Sequence, residues 1–257
     1  MRYDVNLSIL FTELPMLERP AAAARAGFDA VEMWWPFDGP TPADAELDRL
    51  AGAVTEAGVQ LVGLNFDGGH MPSGDRGLLS SPATSRRFRD NIDVAVGFAE
   101  RLGCRTLNAL YGNRTDDTDP ELALENLALA AKAAGGVGAT VVVEALNSFE
   151  NTRYPITSSA QAFQLLDQVP GTAFLADFYH LGRMGEDLSA LIANHADRFG
   201  HVQIADVPGR GQPGTGELDY AAILRQLADS PYDGHVGLEY KPVGPSEESF
   251  SWLEAMP

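Results

Sequence analysis

Four side chains able to hold a cation or move a proton stand in matching places: Glu144 near the end of TVVVEAL, Asp177 closing AFLAD, Gln203 within HVQIAD and Glu239 near the end of VGLEYKP. Each lies at or close to the C-terminal end of a short apolar run. Taken alone, an acid in such a place is more often a cap or a salt-bridge partner. Three carboxylates converging on one mouth are a different matter, because they repel one another and lose hydration unless protons or a cation offset the charge. A divalent metal is the economical answer, and an oxygen-rich donor set suits Mg2+ or Mn2+ better than Zn2+.

Other groups flank these four. His180 follows Asp177 in Asp-Phe-Tyr-His, where an imidazole can orient a substrate hydroxyl or shuttle a proton; the plainer reading is a histidine packed beside Tyr179. Arg210 is the cation of the loop DVPGRGQPGTGE, residues 206–217, whose Gly and Pro content predicts a flexible rim. A guanidinium there suits a carboxylate, and a solvated turn Arg is the alternative. Trp34 and Trp35, followed by Pro36 and Phe37, make either an apolar wall over the mouth or ordinary core packing. Glu32 points into the core on one strand register and away from it on the other. His201 and His235 open their apolar runs and His195 falls in a polar helical stretch, so these three are assigned no chemistry. The glycines follow neither a Walker motif nor GxGxxG between strand and helix, which leaves nucleotide cofactors unsupported.

The elements that must position these groups alternate. Short Val-, Leu- and Ile-rich runs predict strands at 5–11, 30–35, 60–66, 106–111, 140–146, 173–177, 201–205 and 235–240. Helices are predicted between them, for example at 43–57, 86–102, 121–134 and 220–229. Ala26-Gly27-Phe28, Ala57-Gly58-Val59 and Leu102-Gly103-Cys104 repeat one punctuation, helix then Gly then strand, which favours parallel strands joined by crossover helices. The expected fold is a (β/α)8 TIM barrel occupying residues 1–257 as one domain, with an open doubly wound sheet as the alternative. In such barrels the strand C-termini carry the active site, which is where the four groups lie.

Composition narrows the partners. A formal net charge of −18 opposes phosphodiester backbones and anionic lipid surfaces, so neither nucleic acid nor membrane is expected. A single cysteine, Cys104, excludes an internal disulfide and a thiolate metal site, and points to a reducing, cytoplasmic setting. The N-terminal MRYDVNLSILFTELP lacks the long apolar core of a secretory signal, and no apolar run nears the ~20 residues that a spanning helix needs.

The segments NLSILFTELP, AGFDAVEMWWPFD, GDRGLLSSP, VVVEALNSFE, ADFYHLGRM, GHVQIADVPGRGQPGTGELDY and VGLEYKP together resemble the hydroxypyruvate isomerase family, within the xylose isomerase-like barrels that include sugar epimerases. The resemblance extends over nearly the whole chain. It implies a metal bound by Glu144, Asp177, Gln203 and Glu239, with Glu144 and Glu239 doubling as the acid/base pair. It also implies that His180 and Arg210, and more weakly Glu150, contact substrate. Two positions depart from relatives: where the related epimerases place a histidine ligand the chain has Gln203, as hydroxypyruvate isomerase-like sequences do, and His70 stands where close relatives carry an acid.

The implied chemistry is isomerisation of a small hydroxy-keto acid, hydroxypyruvate to tartronate semialdehyde, through an enediolate. The same groups suit a 2-oxo-tetronate or a short sugar, so a 2-oxo-tetronate isomerase and a sugar epimerase remain alternatives. A metal-dependent endonuclease on this barrel would need several histidine ligands and a basic groove, against which the charge argues. From another class, a catalytically silent barrel acting as a binding protein predicts folding without metal dependence. A homo-oligomer is left open.

Overall fold

In the computed structural model, residues 1–255 are described, and eight parallel strands close into a barrel in chain order. The strands are β1 (Arg2–Asn6), β2 (Ala30–Met33), β3 (Gln60–Asn65), β4 (Thr106–Asn108), β5 (Thr140–Glu144), β6 (Thr172–Asp177), β7 (Phe199–Ile204) and β8 (His235–Leu238). β1 pairs with β8, which shuts the ring and removes every sheet edge. The doubly wound alternative is thereby excluded.

The helices are α1 (Arg19–Arg25), α2 (Asp44–Ala57), α3 (Pro82–Leu102), α4 (Pro120–Gly136), α5 (Ser159–Leu166), α6 (Phe178–Arg183), α7 (Leu188–His195) and α8 (Tyr220–Ala228). Their ends follow from local chemistry. The Asp119 carboxylate accepts the N–H groups of Glu121 and Leu122 ahead of α4, with Pro120 at the first helical position, where no N–H is needed. Gly58 and Gly103 close α2 and α3 in the left-handed region, as the repeated punctuation predicts.

Several strands are shorter than their apolar runs, β1 and β4 most of all. β1 ends at Asn6 rather than reaching Phe11, because the Asn6 carbonyl accepts the N–H of Leu10 and its side chain accepts the N–H of Ser8, turning the chain. Leu7, Leu10 and Phe11 are buried all the same, so hydrophobicity there reports burial and not strand. β4 ends at Asn108, and Tyr111 instead forms an isolated antiparallel bridge with Gly77.

Apolar side chains on alternate strand positions, such as Val5, Val31, Val202 and Val236, pack outward under the helices. The barrel interior is unusually polar: Asp4, Asn6, Glu32, Asn108, Glu144, Asp177, His201, Gln203 and Glu239 are all buried. Two glycines make space for one of them. A Cβ on Gly237 would come within 2.7 Å of Glu32 Oε1, and one on Gly63 within 3.0 Å of Glu32 Oε2. Glu32 therefore takes the inward register.

Candidate active site

Side chains from all around the ring meet at the C-terminal mouth, in a cavity of about 660 Å³ whose lining includes Trp34, Glu144, Glu150, His180, Arg210 and Glu239. Glu144 ends β5, Asp177 ends β6, Gln203 lies opposite Asp177 in the β6–β7 register, and Glu239 follows the last residue of β8. All four are buried. Four successive strands carry them toward the C-terminal end of the barrel, where Glu144 and Glu239 line the cavity.

Their hydrogen bonds are unequal. Asp177 Oδ1 caps α6 by accepting the N–H groups of Tyr179 at 2.8 Å and His180 at 3.2 Å. Gln203 Nε2 donates to Glu32 Oε1 at 2.7 Å. The other Asp177 oxygen, Oδ2, and the single side-chain oxygen of Gln203, Oε1, are buried without a hydrogen-bond partner. A buried polar oxygen left unpaired costs about 1–3 kcal/mol, and two such oxygens on adjacent strands have the chemistry of cation ligands.

The two glutamates differ as well. Glu144 accepts one hydrogen bond, from Asn108 Nδ2 at 3.0 Å, and burial with the charges of Glu239 and Asp177 pushes its carboxyl well above the usual range. Glu239 accepts from Trp34 Nε1 at 2.7 Å, Asn6 Nδ2 at 3.0 Å and Arg210 Nη2 at 2.6 Å. Burial still raises its pKa, but Arg210 and Trp34 hold it down. Burial and Glu239 push Asp177 up to about 8. Three carboxylates kept this reluctant to ionise together, with two bare oxygens beside them, fit a divalent cation.

His180 is buried, with its ring 5.2 Å from that of Tyr179. Its Nδ1 accepts the backbone N–H of Asn147 at 3.0 Å, and burial with the nearby charges of Arg210 and Arg76 presses its pKa well below the ordinary value. The ring is therefore neutral and its proton sits on Nε2. Glu144, Asp177 and His180 form a compact group of potential metal ligands, but an Nε2 that carries hydrogen has no lone pair to offer. Nε2 itself lies 3.8 Å from Glu144 Oε1 and 3.7 Å from Asp177 Oδ2, beyond hydrogen-bond length, so its proton is uncommitted.

The loop carrying Arg210 is not the flexible rim that its composition suggests. Buried Asp206 accepts the N–H groups of Val207, Leu218, Gly214 and Gly216 at 2.9–3.0 Å, winding the glycines around one carboxylate. Arg210 is held in the left-handed region at φ 59°, and its carbonyl accepts the N–H of Lys241 at 2.7 Å. Such strain in a non-glycine residue is characteristic of functional sites. Glu150 accepts hydrogen bonds from Tyr179 Oη at 2.9 Å and Asn147 Nδ2 at 3.1 Å.

The cavity lining adds what the sequence leaves open. Arg210 shares the mouth with other cations, since Arg19, Arg76, Arg87 and Lys241 also line it. Arg76 was legible in GDRGLLSSP only as part of a motif, without a role. His201 is buried inside the barrel, with Nε2 2.7 Å from Glu32 Oε2 and 3.9 Å from Asp4 Oδ2. Trp34 and Trp35 both line the cavity, and Trp35 also packs on Phe37 with ring centroids 5.0 Å apart.

A family model described as "Xylose isomerase-like TIM barrel" matches residues 20–256, and an Escherichia coli hydroxypyruvate isomerase is 33% identical, with 99% of this chain and 98% of that protein covered. The chain belongs to the hydroxypyruvate isomerase family of xylose isomerase-like barrels. A relative from Streptomyces coelicolor, named provisionally as a hydroxypyruvate isomerase, is 58% identical over 99% of this chain and 96% of its own. Within the same barrel family, a 2-oxo-tetronate isomerase of Pectobacterium atrosepticum is 32% identical over 98% and 97%. A solved structure from Brucella melitensis, described as an AP endonuclease, family 2, superposes with a TM-score of 0.90 at 36% identity, covering 99% of this chain and 98% of that one. Among the described residues no helix is long and apolar enough to cross a membrane.

Proposed function

We propose that this barrel isomerises hydroxypyruvate to tartronate semialdehyde, with Glu144 and Glu239 moving the protons and Mg2+ or Mn2+ held by Glu144, Asp177, Gln203 and Glu239. The observation that carries this reading is the pairing of two buried, differently supported glutamates that line the cavity with two buried, unpartnered oxygens on the two strands between them. Bound there, the cation supplies Lewis acidity to the substrate's neighbouring oxygens.

The reaction removes one proton from C3 of hydroxypyruvate, passes through an enediolate and returns a proton at C2, while the hydroxyl proton moves from O3 to O2. No oxidant is needed. Glu239 has three donors that favour its anion, which suits it to take the C3 proton. Glu144, with one donor and a higher pKa, suits delivery at C2. His180 Nε2–H donates to a substrate oxygen as negative charge grows on it. Arg210 holds Glu239 in place and adds positive charge on the substrate side, and Glu150 steadies Tyr179 beneath Arg210, whose guanidinium lies 5.3 Å from that ring.

A 2-oxo-tetronate, one carbon longer, requires the same transfers and is the second substrate to test, since the relatives acting on the two acids by name resemble this chain to nearly the same degree. The experiment is a panel of short keto acids and neutral ketoses assayed for isomerisation with and without chelator. Turnover of keto acids that chelator abolishes is the expected result. Folded protein that binds but converts no member of the panel would point to the binding-protein alternative.

A further inference from the structure

We infer that Arg76, on the loop between β3 and α3, is the anchor for the substrate's carboxylate. This rests on the keto-acid reading above and adds the residue that selects for the acid.

The cations around the cavity separate by what already neutralises them. Arg210 is tied to Glu239 at 2.6 Å, and Arg87 grips Asp67 at 2.6 and 3.0 Å. Lys241 is exposed. Arg19 is held by the carbonyls of Leu14 and Leu7 and feels mainly Glu13, outside the group of acids at the floor. Arg76 is half-buried, and its Nε donates to Asn151 Oδ1 at 2.6 Å while Nη1 donates to the carbonyls of Asp75 at 2.7 Å and Met71 at 3.2 Å. All three acceptors are neutral. Among the described residues no carboxylate pairs with it, and Nη2 makes no hydrogen bond.

A guanidinium fixed by neutral acceptors at the lining of a cavity keeps its full charge for a visiting anion, with little rotamer entropy left to lose on binding. The backbone beneath it is fixed as well. The Arg76 carbonyl accepts the N–H of Gly112, and the Gly77 N–H donates to the Gly68 carbonyl, each at 2.9 Å. Burial, with Arg210 nearby, makes the charge costly, and Glu144 and Glu150 partly offset it.

The test uses D-glycerate, a non-isomerising acid of the same length, and neutral dihydroxyacetone, titrated calorimetrically into the full chain with Mg2+ present. Arg76→Gln keeps a donor for the loop carbonyls and so separates charge from scaffolding. It is expected to weaken glycerate binding by roughly 10–100-fold, with dihydroxyacetone within about twofold, and Arg76→Lys to recover part of the loss. Unchanged glycerate affinity in Arg76→Gln, equal losses for acid and neutral ligand, or no glycerate binding by the wild-type chain would each overturn the anchor. Glycerate binding that depends on Arg76 in a protein that turns over no keto acid would keep the anchor and sink the isomerase reading.

Discussion

Arg210 Nη2 stands 2.6 Å from Glu239 Oε2, joining the loop after β7 to the last strand by an ion pair inside the cavity. Removing Arg210 removes an influence that lowers the Glu239 pKa, so that pKa must rise. Arg210→Ala is expected to move the acidic limb of the kcat/KM profile upward by about one pH unit or more, read from steady-state rates across pH. An unmoved limb would mean that Glu239 is not the base. Glu239→Gln and Glu144→Gln should each lower kcat by ~10²-fold or more with the fold intact, and solvent deuterium should enter the product.

Chelation offers a separate handle on Asp177 Oδ2 and Gln203 Oε1, which lack partners inside the protein. Removing a bound cation should abolish turnover and lower Tm, and Mg2+ or Mn2+ should restore both. Gln203→Leu should bind the metal more weakly while still folding, as measured by metal titration monitored through thermal shift. Activity and Tm that ignore chelator would leave the four residues a purely hydrogen-bonded cluster.

Below the reacting groups, His201 and Glu32 form a buried pair whose stabilising contribution depends on pH. Burial opposes the His201 charge, but Glu32 overrides it and raises the pKa to about 9, above the unfolded value near 6.5. The contribution is therefore complete below about pH 6.5 and lost as pH rises through about 9. For Glu32, burial is outweighed by His201, Gln203 and Asn6, and a lowered carboxyl loses its contribution as pH falls. His201→Leu strands the Glu32 charge, at a cost of roughly 3–5 kcal/mol. The Tm gap between wild type and variant should be wide near about pH 6.5 and narrow by about pH 10; a constant gap would contradict the assigned charge states.

Gly77 presses against the chain beyond β4, and at φ 104° a Cβ there would lie 1.9 Å from the Leu110 carbonyl oxygen. Gly77→Ala combines backbone strain with a steric clash, and is expected to cost on the order of 3 kcal/mol or more. Differential scanning calorimetry measures the loss. Because Arg76 is the preceding residue, surviving Gly77→Ala protein should also bind glycerate less well than wild type.

The period of the sequence exposes the barrel because βα alternation leaves a signal in every segment, as the run TVVVEAL and the helix–Gly–strand sites show. Strand-end position likewise points to Glu144, Asp177, Gln203 and Glu239, which four successive strands carry and the fold buries. What is hidden is pairing across the ring. Nothing local distinguishes Glu32 facing Gly237 and His201 from Glu32 on the outside, since the space it fills is made by glycines more than 30 and 200 positions away. Loop composition misleads at Arg210, because a single buried acceptor, Asp206, orders glycines that by themselves suggest mobility. Arg76 escapes notice because its significance lies in the carboxylate it lacks.

The plug of Asp4, Glu32 and His201 fills the barrel below Gln203 and Glu239, so the reaction chamber is a cul-de-sac with its doorway at the loops. Substrate and product then share one passage, and product occupying the chamber competes directly with the next substrate. A proton taken by Glu239 has no way out through the floor. It is either handed back to C3, which regenerates substrate, or exchanged with water at the doorway, so the entry of solvent deuterium into unreacted substrate measures how tightly the occupied chamber closes.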